Sequence, residues 1–354
     1  MDDPSDNSTG IPFIKCTVNG THLDNSTENC TTKEPIPNPF PPFSPQLYFW
    51  GSELLVVCIL SILLHGLFII ASRNLARCSG ANVAYLILQF ISILSIESFI
   101  CEIIAILCYF AGLTLDDNYL LYQILGAFAI FTYFYCVVAS MTLTLHRVLF
   151  TVFPSRASKI VTKKFVKSYL AAFMACYILS LSLALSPLLG TIFIPQYLTW
   201  GYDTEKPYSL DVVYMINTIS NYIIGYVNFI VYTLLIGYLF FQKVISFQKT
   251  NEIRMTVQVA LMVVFEFCFY LFWEILDLGS YSIRDLMISE NSNVLFYDAL
   301  ILPHLLICRS LHTEIGKLFN SKARQTKVSV IEVKAGSMII PATRTNFYHT
   351  PSIT

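Results

Sequence analysis

Seven apolar stretches, each long enough to cross a bilayer, dominate the sequence. They run over about 50–72, 83–111, 119–147, 168–193, 212–241, 255–280 and 294–312, where a helical span needs roughly 20 residues at 1.5 Å rise per residue. Inside hydrocarbon every backbone N–H and C=O must be satisfied within the protein, which leaves helices or a closed barrel. The stretches do not alternate apolar and polar residues as barrel strands must. The expected fold is an all-α membrane protein, a bundle of seven transmembrane helices. Only 13% of the 354 residues are charged, against about 25% in ordinary soluble domains.

The few charges orient the bundle. Eighteen of the 22 lysines and arginines fall on one side: Arg73 and Arg77, the set from Arg147 to Lys167, the set from Lys243 to Arg254, and those from Arg309 onward. Lys15, Lys33, Lys206 and Arg284 fall on the other. Positive residues favour the cytoplasm, so the N-terminus is expected outside and the C-terminus inside.

Three regions follow. Residues 1–48 form an extracellular tail with four Asn-x-Ser/Thr acceptors, at Asn7, Asn19, Asn25 and Asn29, expected to carry glycans on that side of the membrane. Cys16 and Cys30 share the tail; a disulfide between them and two free or differently paired thiols are both open. Residues 49–312 form the bundle, with an outer loop at about 194–211. Residues 313–354 complete an amphipathic helix, "SLHTEIGKLFN", lying at the cytoplasmic interface, and then a Ser/Thr-rich, basic, flexible tail.

Acidic residues inside the spans are the bottom-up clue to function. Glu97 and Glu102 lie in the outer half of the second span, Glu266 in the sixth and Asp298 in the seventh. A carboxylate facing lipid at mid-bilayer costs about 2.5–3.5 kcal/mol, so these groups should face inward. Glu266, Tyr270, Trp273 and Asp277 recur at helical spacing and share one face. One reading is carboxyls that hold helices together through hydrogen bonds. The other is an acidic pocket for a cationic or hydrogen-bond-donating ligand, with Tyr and Trp as stacking surface.

The third span ends in "LHRVLFTVFP", a lone Arg147 followed seven residues later by Pro154. This resembles the rhodopsin-like receptors, whose third helix ends in an acidic residue, Arg and Tyr, with Pro at the same distance. Here His146 and Val148 flank the arginine, so the usual acidic latch partner is missing. Leu302 precedes Pro303 where the Asn of an Asn-Pro-x-x-Tyr motif would stand, and no Tyr follows at the matching distance.

The chain is most similar to the nematode serpentine chemoreceptors of the gamma-type superfamily. The matching marks are Arg147, Val152–Pro154, and the series Asp298, Pro303, Leu305, Leu306, Ser310. The resemblance implies a multi-pass plasma-membrane receptor of sensory neurons, cilia included, that detects small external chemicals and activates a heterotrimeric G protein. Arg147 and Pro154 would then serve coupling; the plainer alternative is an arginine that anchors a helix end at the cytoplasmic interface, free to snorkel to water.

An enzyme is not expected, because no HExxH, GxSxG, GxGxxG or P-loop occurs and the six histidines do not cluster. Neither a cofactor nor a metal nor a nucleic-acid partner is expected. The rival is a transporter or ligand-gated channel using the intramembrane carboxylates; the absence of an internal repeat speaks against it.

Overall fold

The computed structural model describes residues 45–78, 82–203, 205–241, 251–275 and 283–319. Helix α1 (Pro45–Cys78), α2 (Asn82–Phe110) and α3 (Tyr119–Val152) are the first three spans, and a short α4 (Pro154–Ile160) follows on the cytoplasmic side. Span four is α5 (Lys163–Ala184). An antiparallel hairpin, β1 (Thr191–Ile194) and β2 (Thr199–Tyr202), then crosses the outer face. Span five is α6 (Ser209–Tyr222), a π-helical turn (Ile223–Asn228) and α7 (Phe229–Phe241); spans six and seven are α8 (Asn251–Ile275) and α9 (Ile283–Ile307). The amphipathic α10 (Arg309–Phe319) leaves α9 at an angle of 94°.

Local chemistry accounts for the punctuation at the cytoplasmic end. Pro154 opens α4 at a first-turn position, where its missing N–H costs nothing and its fixed φ suits a helix start. Thr162 caps α5, its hydroxyl accepting from the Phe165 N–H at 3.2 Å. Pro303 lies inside α9 without ending it; buried membrane helices tolerate such a lost hydrogen bond because neighbours re-satisfy the backbone.

The spans pack in a ring: α1 on α2, α2 on α3, α8 on α9, with α1 closing against α9. Leu54, Phe68, Leu88, Ile91, Leu143 and Phe296 are among the fully enclosed residues of the main core. A second apolar cluster sits under the hairpin, where Leu198 and Phe193 meet Leu47, Tyr122 and Met287. Leu198 takes a left-handed φ of 48° at the hairpin turn, which costs a non-glycine residue roughly 1–2 kcal/mol. Burial of its whole side chain offsets that cost.

Three expected boundaries are corrected. The fourth apolar stretch extends to about 193, but the helix stops at Ala184 and 191–194 is a strand. The seventh apolar stretch covers about 294–312, whereas α9 begins at Ile283 and bends away at Cys308. The outer loop expected at about 194–211 holds the hairpin turn and β2, and its last residues, from Ser209, already belong to α6.

Candidate functional site

The outer site is built where the hairpin meets two buried carboxyls. Glu102 of α2 accepts a hydrogen bond from Trp200 Nε1 at 2.8 Å. Glu290, about two turns into α9, accepts from Thr199 Oγ1 and is also bonded by Asn293 and the Trp200 backbone. Adjacent hairpin residues thus donate to carboxyls from two different spans. The two carboxyls lie close enough to feel each other's charge, and neither has an ion-pair partner among the described residues. Nearby, Asn291 donates to Glu53 of α1 at 2.9 Å.

A second lock fixes the hairpin's flanks. Tyr119, at the outer start of α3, donates to Asp203. Lys206 donates to the Ser186 and Leu189 carbonyls at 3.1 and 2.9 Å and lies 5.9 Å from the Tyr119 ring centre. Burial of this ammonium pulls its pKa below the ordinary lysine value, with Asp203 pulling the other way. Gly126 of α3 takes part by having no side chain: a Cβ there would stand 2.2 Å from the Thr191 carbonyl oxygen.

Halfway down the bundle three spans share one polar node. Glu266 of α8, wholly buried, accepts from Ser140 of α3 and from Asn228 Nδ2 at 2.9 Å. Asn228 ends the π-helical turn of span five. Such a turn adds a residue to the helix and re-aims the side chains around it. Gly225 in the same turn packs so closely on Tyr270 that a Cβ would stand 2.6 Å from the ring. Tyr270 in turn donates to Tyr226 at 2.9 Å.

The remaining expected acidic and aromatic residues are dispersed. Asp298 faces α1, accepting from Ser61 Oγ at 2.7 Å and lying 3.3 Å from His65 Nε2. Glu97 faces α5 and is hydrogen-bonded with Tyr177. Trp273 donates to Ser292 of α9 at 2.7 Å and packs against Tyr133 and Phe296. Asp277 lies outside the described residues, as do Asn7, Asn19, Asn25, Asn29, Cys16 and Cys30. The structure therefore brings Glu102 to Glu290, and Glu266 to Ser140 and Asn228, rather than gathering all the carboxyls round one chamber.

At the cytoplasmic end Arg147 is 6% exposed. That corrects the expectation of a snorkelling cation: the residue turns into the bundle, close enough for its charge to act on Tyr232 of α7 and His304 of α9. Tyr232 donates to the Thr256 carbonyl of α8 at 3.0 Å, tying spans five and six beside the arginine. Pro154 is exposed on the short helix below. Cys308 is buried, with its Sγ 3.3 Å from Tyr85 OH.

A narrow, partly open cleft, with room for no more than about one water molecule, lies among α3, α5, β1 and α6. Phe131, Ala184, Leu189, Val213 and Ile216 make its apolar wall. Two buried hydroxyls, Thr191 Oγ1 and Ser209 Oγ, stand in that lining without hydrogen-bond partners among the described residues. Each unpaired buried hydroxyl costs about 1–3 kcal/mol.

Sequence reasoning missed Glu53, Glu290, Thr199, Trp200 and Asn228. Glu290 lay just outside the assigned seventh span, and the available signal was its position three and seven residues after Met287 and Ile283 on an otherwise apolar face. The partners of the other four come from distant spans and leave no local mark.

The family model described as serpentine type 7TM GPCR chemoreceptor Srt matches residues 25–328. No curated protein matches the chain significantly.

Proposed function

The chain belongs to the Srt family of serpentine seven-transmembrane chemoreceptors, and on that premise we propose that it binds an external small molecule in the outer half of the bundle and activates a heterotrimeric G protein at the cytoplasmic end. The supporting observation is the vertical order of buried polar groups along α3. Ser140, in the node with Asn228 and Glu266, stands seven residues above Arg147, two turns along one helix face. A change at the node is thus delivered to the level of the arginine.

In this reading Glu102 and Glu290 favour a ligand bearing a cation or strong hydrogen-bond donors, because such a group would offset two neighbouring carboxyls that only neutral donors now satisfy. Binding displaces Trp200 or Thr199 and loosens the hairpin. Glu97, Trp273, Tyr270, Asp277 and Asp298 shape or relay the site, and Glu266 carries the signal inward. Arg147, enclosed when spans five and six are tied by Tyr232, meets the G protein after those spans part, with Pro154 setting the loop it docks on. The receptor acts at the plasma membrane, its 1–48 tail glycosylated at Asn7, Asn19, Asn25 and Asn29 and bridged by Cys16–Cys30.

The test is nucleotide exchange on co-expressed G proteins in membranes challenged with pooled amines, odorants and peptides. A response whose amine potency falls with Glu102→Gln or Glu290→Gln supports both halves. Proton-dependent uptake abolished by Glu266→Gln, with no exchange response, would replace the receptor by a transporter.

A further inference from the structure

We propose that the cytoplasmic corner where α4 turns into α5 is a docking surface for anionic lipid of the inner leaflet, and that it prefers a multiply phosphorylated inositol headgroup to singly charged lipids. Arg156, Lys159, Lys164 and Lys167 are all exposed there. None has an ion-pair partner among the described residues, and no Asp or Glu occurs between Asn118 and Tyr202. Glu314, the acidic residue of α10, is already engaged by Lys317. Four cations so close in the chain repel one another, and one densely charged external anion relieves all four. Arginine adds a planar fork that meets phosphate oxygens in pairs.

Orientation in the membrane asks only for an excess of basic residues on this side. It does not ask for the large apolar side chains set among them. Phe153, Ile160 and Phe165 are each at least half exposed; Ile160 lies one turn from Arg156 on α4, and Phe165 follows Lys164 on α5. At a bilayer surface such side chains enter the boundary between headgroups and acyl chains, while the longer cationic ones stay at the level of the phosphates. The corner is also held in place. Ala157 is buried, its N–H donates to the Phe153 carbonyl, and the Val161 N–H donates to the Ala157 carbonyl, both at 2.8 Å. Only Val161 and the capping Thr162 separate the two helices. A pre-ordered surface binds without the entropic cost of arranging its own chain.

This surface goes beyond the receptor reading, and its test needs no G protein, so the two can fail separately. The full-length protein is placed in phosphatidylcholine nanodiscs, both faces of which are accessible, doped with a phosphatidylinositol bisphosphate that carries a diazirine beside its headgroup. Crosslinks are expected to concentrate within 153–168 and to fall as salt is raised. Unlabelled phosphatidylinositol bisphosphate should compete more strongly than phosphatidylserine. Salt and competitors act on the unmodified protein, so these readings stand even where a variant folds poorly. Each of Arg156→Gln, Lys159→Gln, Lys164→Gln and Lys167→Gln should weaken binding about fivefold, the scale of one basic residue at an anionic surface. Lys159→Arg combined with Lys164→Arg should keep it. Removing other exposed cations of the same side, with Arg73→Gln, Arg309→Gln and Lys317→Gln together, should leave the crosslinks unchanged. Labelling spread evenly over the cytoplasmic helix ends, or an equal loss in that control variant, would overturn the proposal and leave the four cations as orientation signals. Equal competition by phosphatidylserine would overturn the headgroup preference. Crosslinks indifferent to every lipid competitor but blocked by an added G protein would overturn the lipid assignment in favour of a protein partner.

Discussion

Asn228 donates to Glu266 across 2.9 Å, joining span five to span six where a π-helical turn interrupts the regular helix. Ser140 of α3 serves the same carboxyl, so one acidic group holds three spans. Asn228→Leu should lower the stability of the solubilised protein by about 1–3 kcal/mol, the cost of stranding a buried polar group. Ser140→Ala should add less to that variant than it costs alone, because both residues share one partner. Thermal denaturation in detergent measures both; strict additivity would mean the node does not act as a unit.

Close approach at Gly225 offers a test of packing. A methyl group there meets the base of the Tyr270 ring, whereas at Gly237 on α7 it meets nothing within 4 Å. Gly225→Ala should therefore cost about 1–3 kcal/mol as an overpacked contact. Gly237→Ala should be neutral or stabilise by up to about 1 kcal/mol through helix propensity. The two melting curves, run side by side, separate these outcomes.

The hairpin is anchored by neighbouring donors with separate acceptors. Trp200→Phe removes the side-chain donor to Glu102 and leaves that buried acceptor unsatisfied, while Thr199→Val removes one of the donors to Glu290, which keeps Asn293 and the Trp200 backbone; each lost hydrogen bond is worth about 1 kcal/mol net. Backbone hydrogen exchange over 191–202 should speed up in each variant and more in the pair. Exchange unchanged in all three would show that the apolar cluster around Leu198 alone holds the lid.

The number of spans was legible because hydropathy registers the one constraint that lipid imposes, and the 3.6-residue periodicity of Leu311, Ile315 and Leu318 gave α10. Other limits were hidden for physical reasons. Arg284, Asp285, Glu290 and Asn291 make the start of α9 read as a loop, yet Glu290 is buried because hairpin donors from 90 residues away satisfy it. In "TIFIPQYLTW" an apolar run continues from span four, but the break at Ser186–Gly190 and the β-branched residues after it favour extended chain. Inward placement held for Glu102 and Glu266, as the cost of a lipid-facing charge requires. Their partners, set by tertiary packing, had no local signature.

Arg147 decides the central claim. Nucleotide exchange on a co-expressed G protein, with an agonist found from the pooled screen, is measured for the wild type and for Arg147→Ala at matched surface expression. The account predicts that the response disappears in the variant while agonist binding persists. A response of undiminished size from Arg147→Ala would contradict it, leaving the buried arginine as a packing residue at the end of α3.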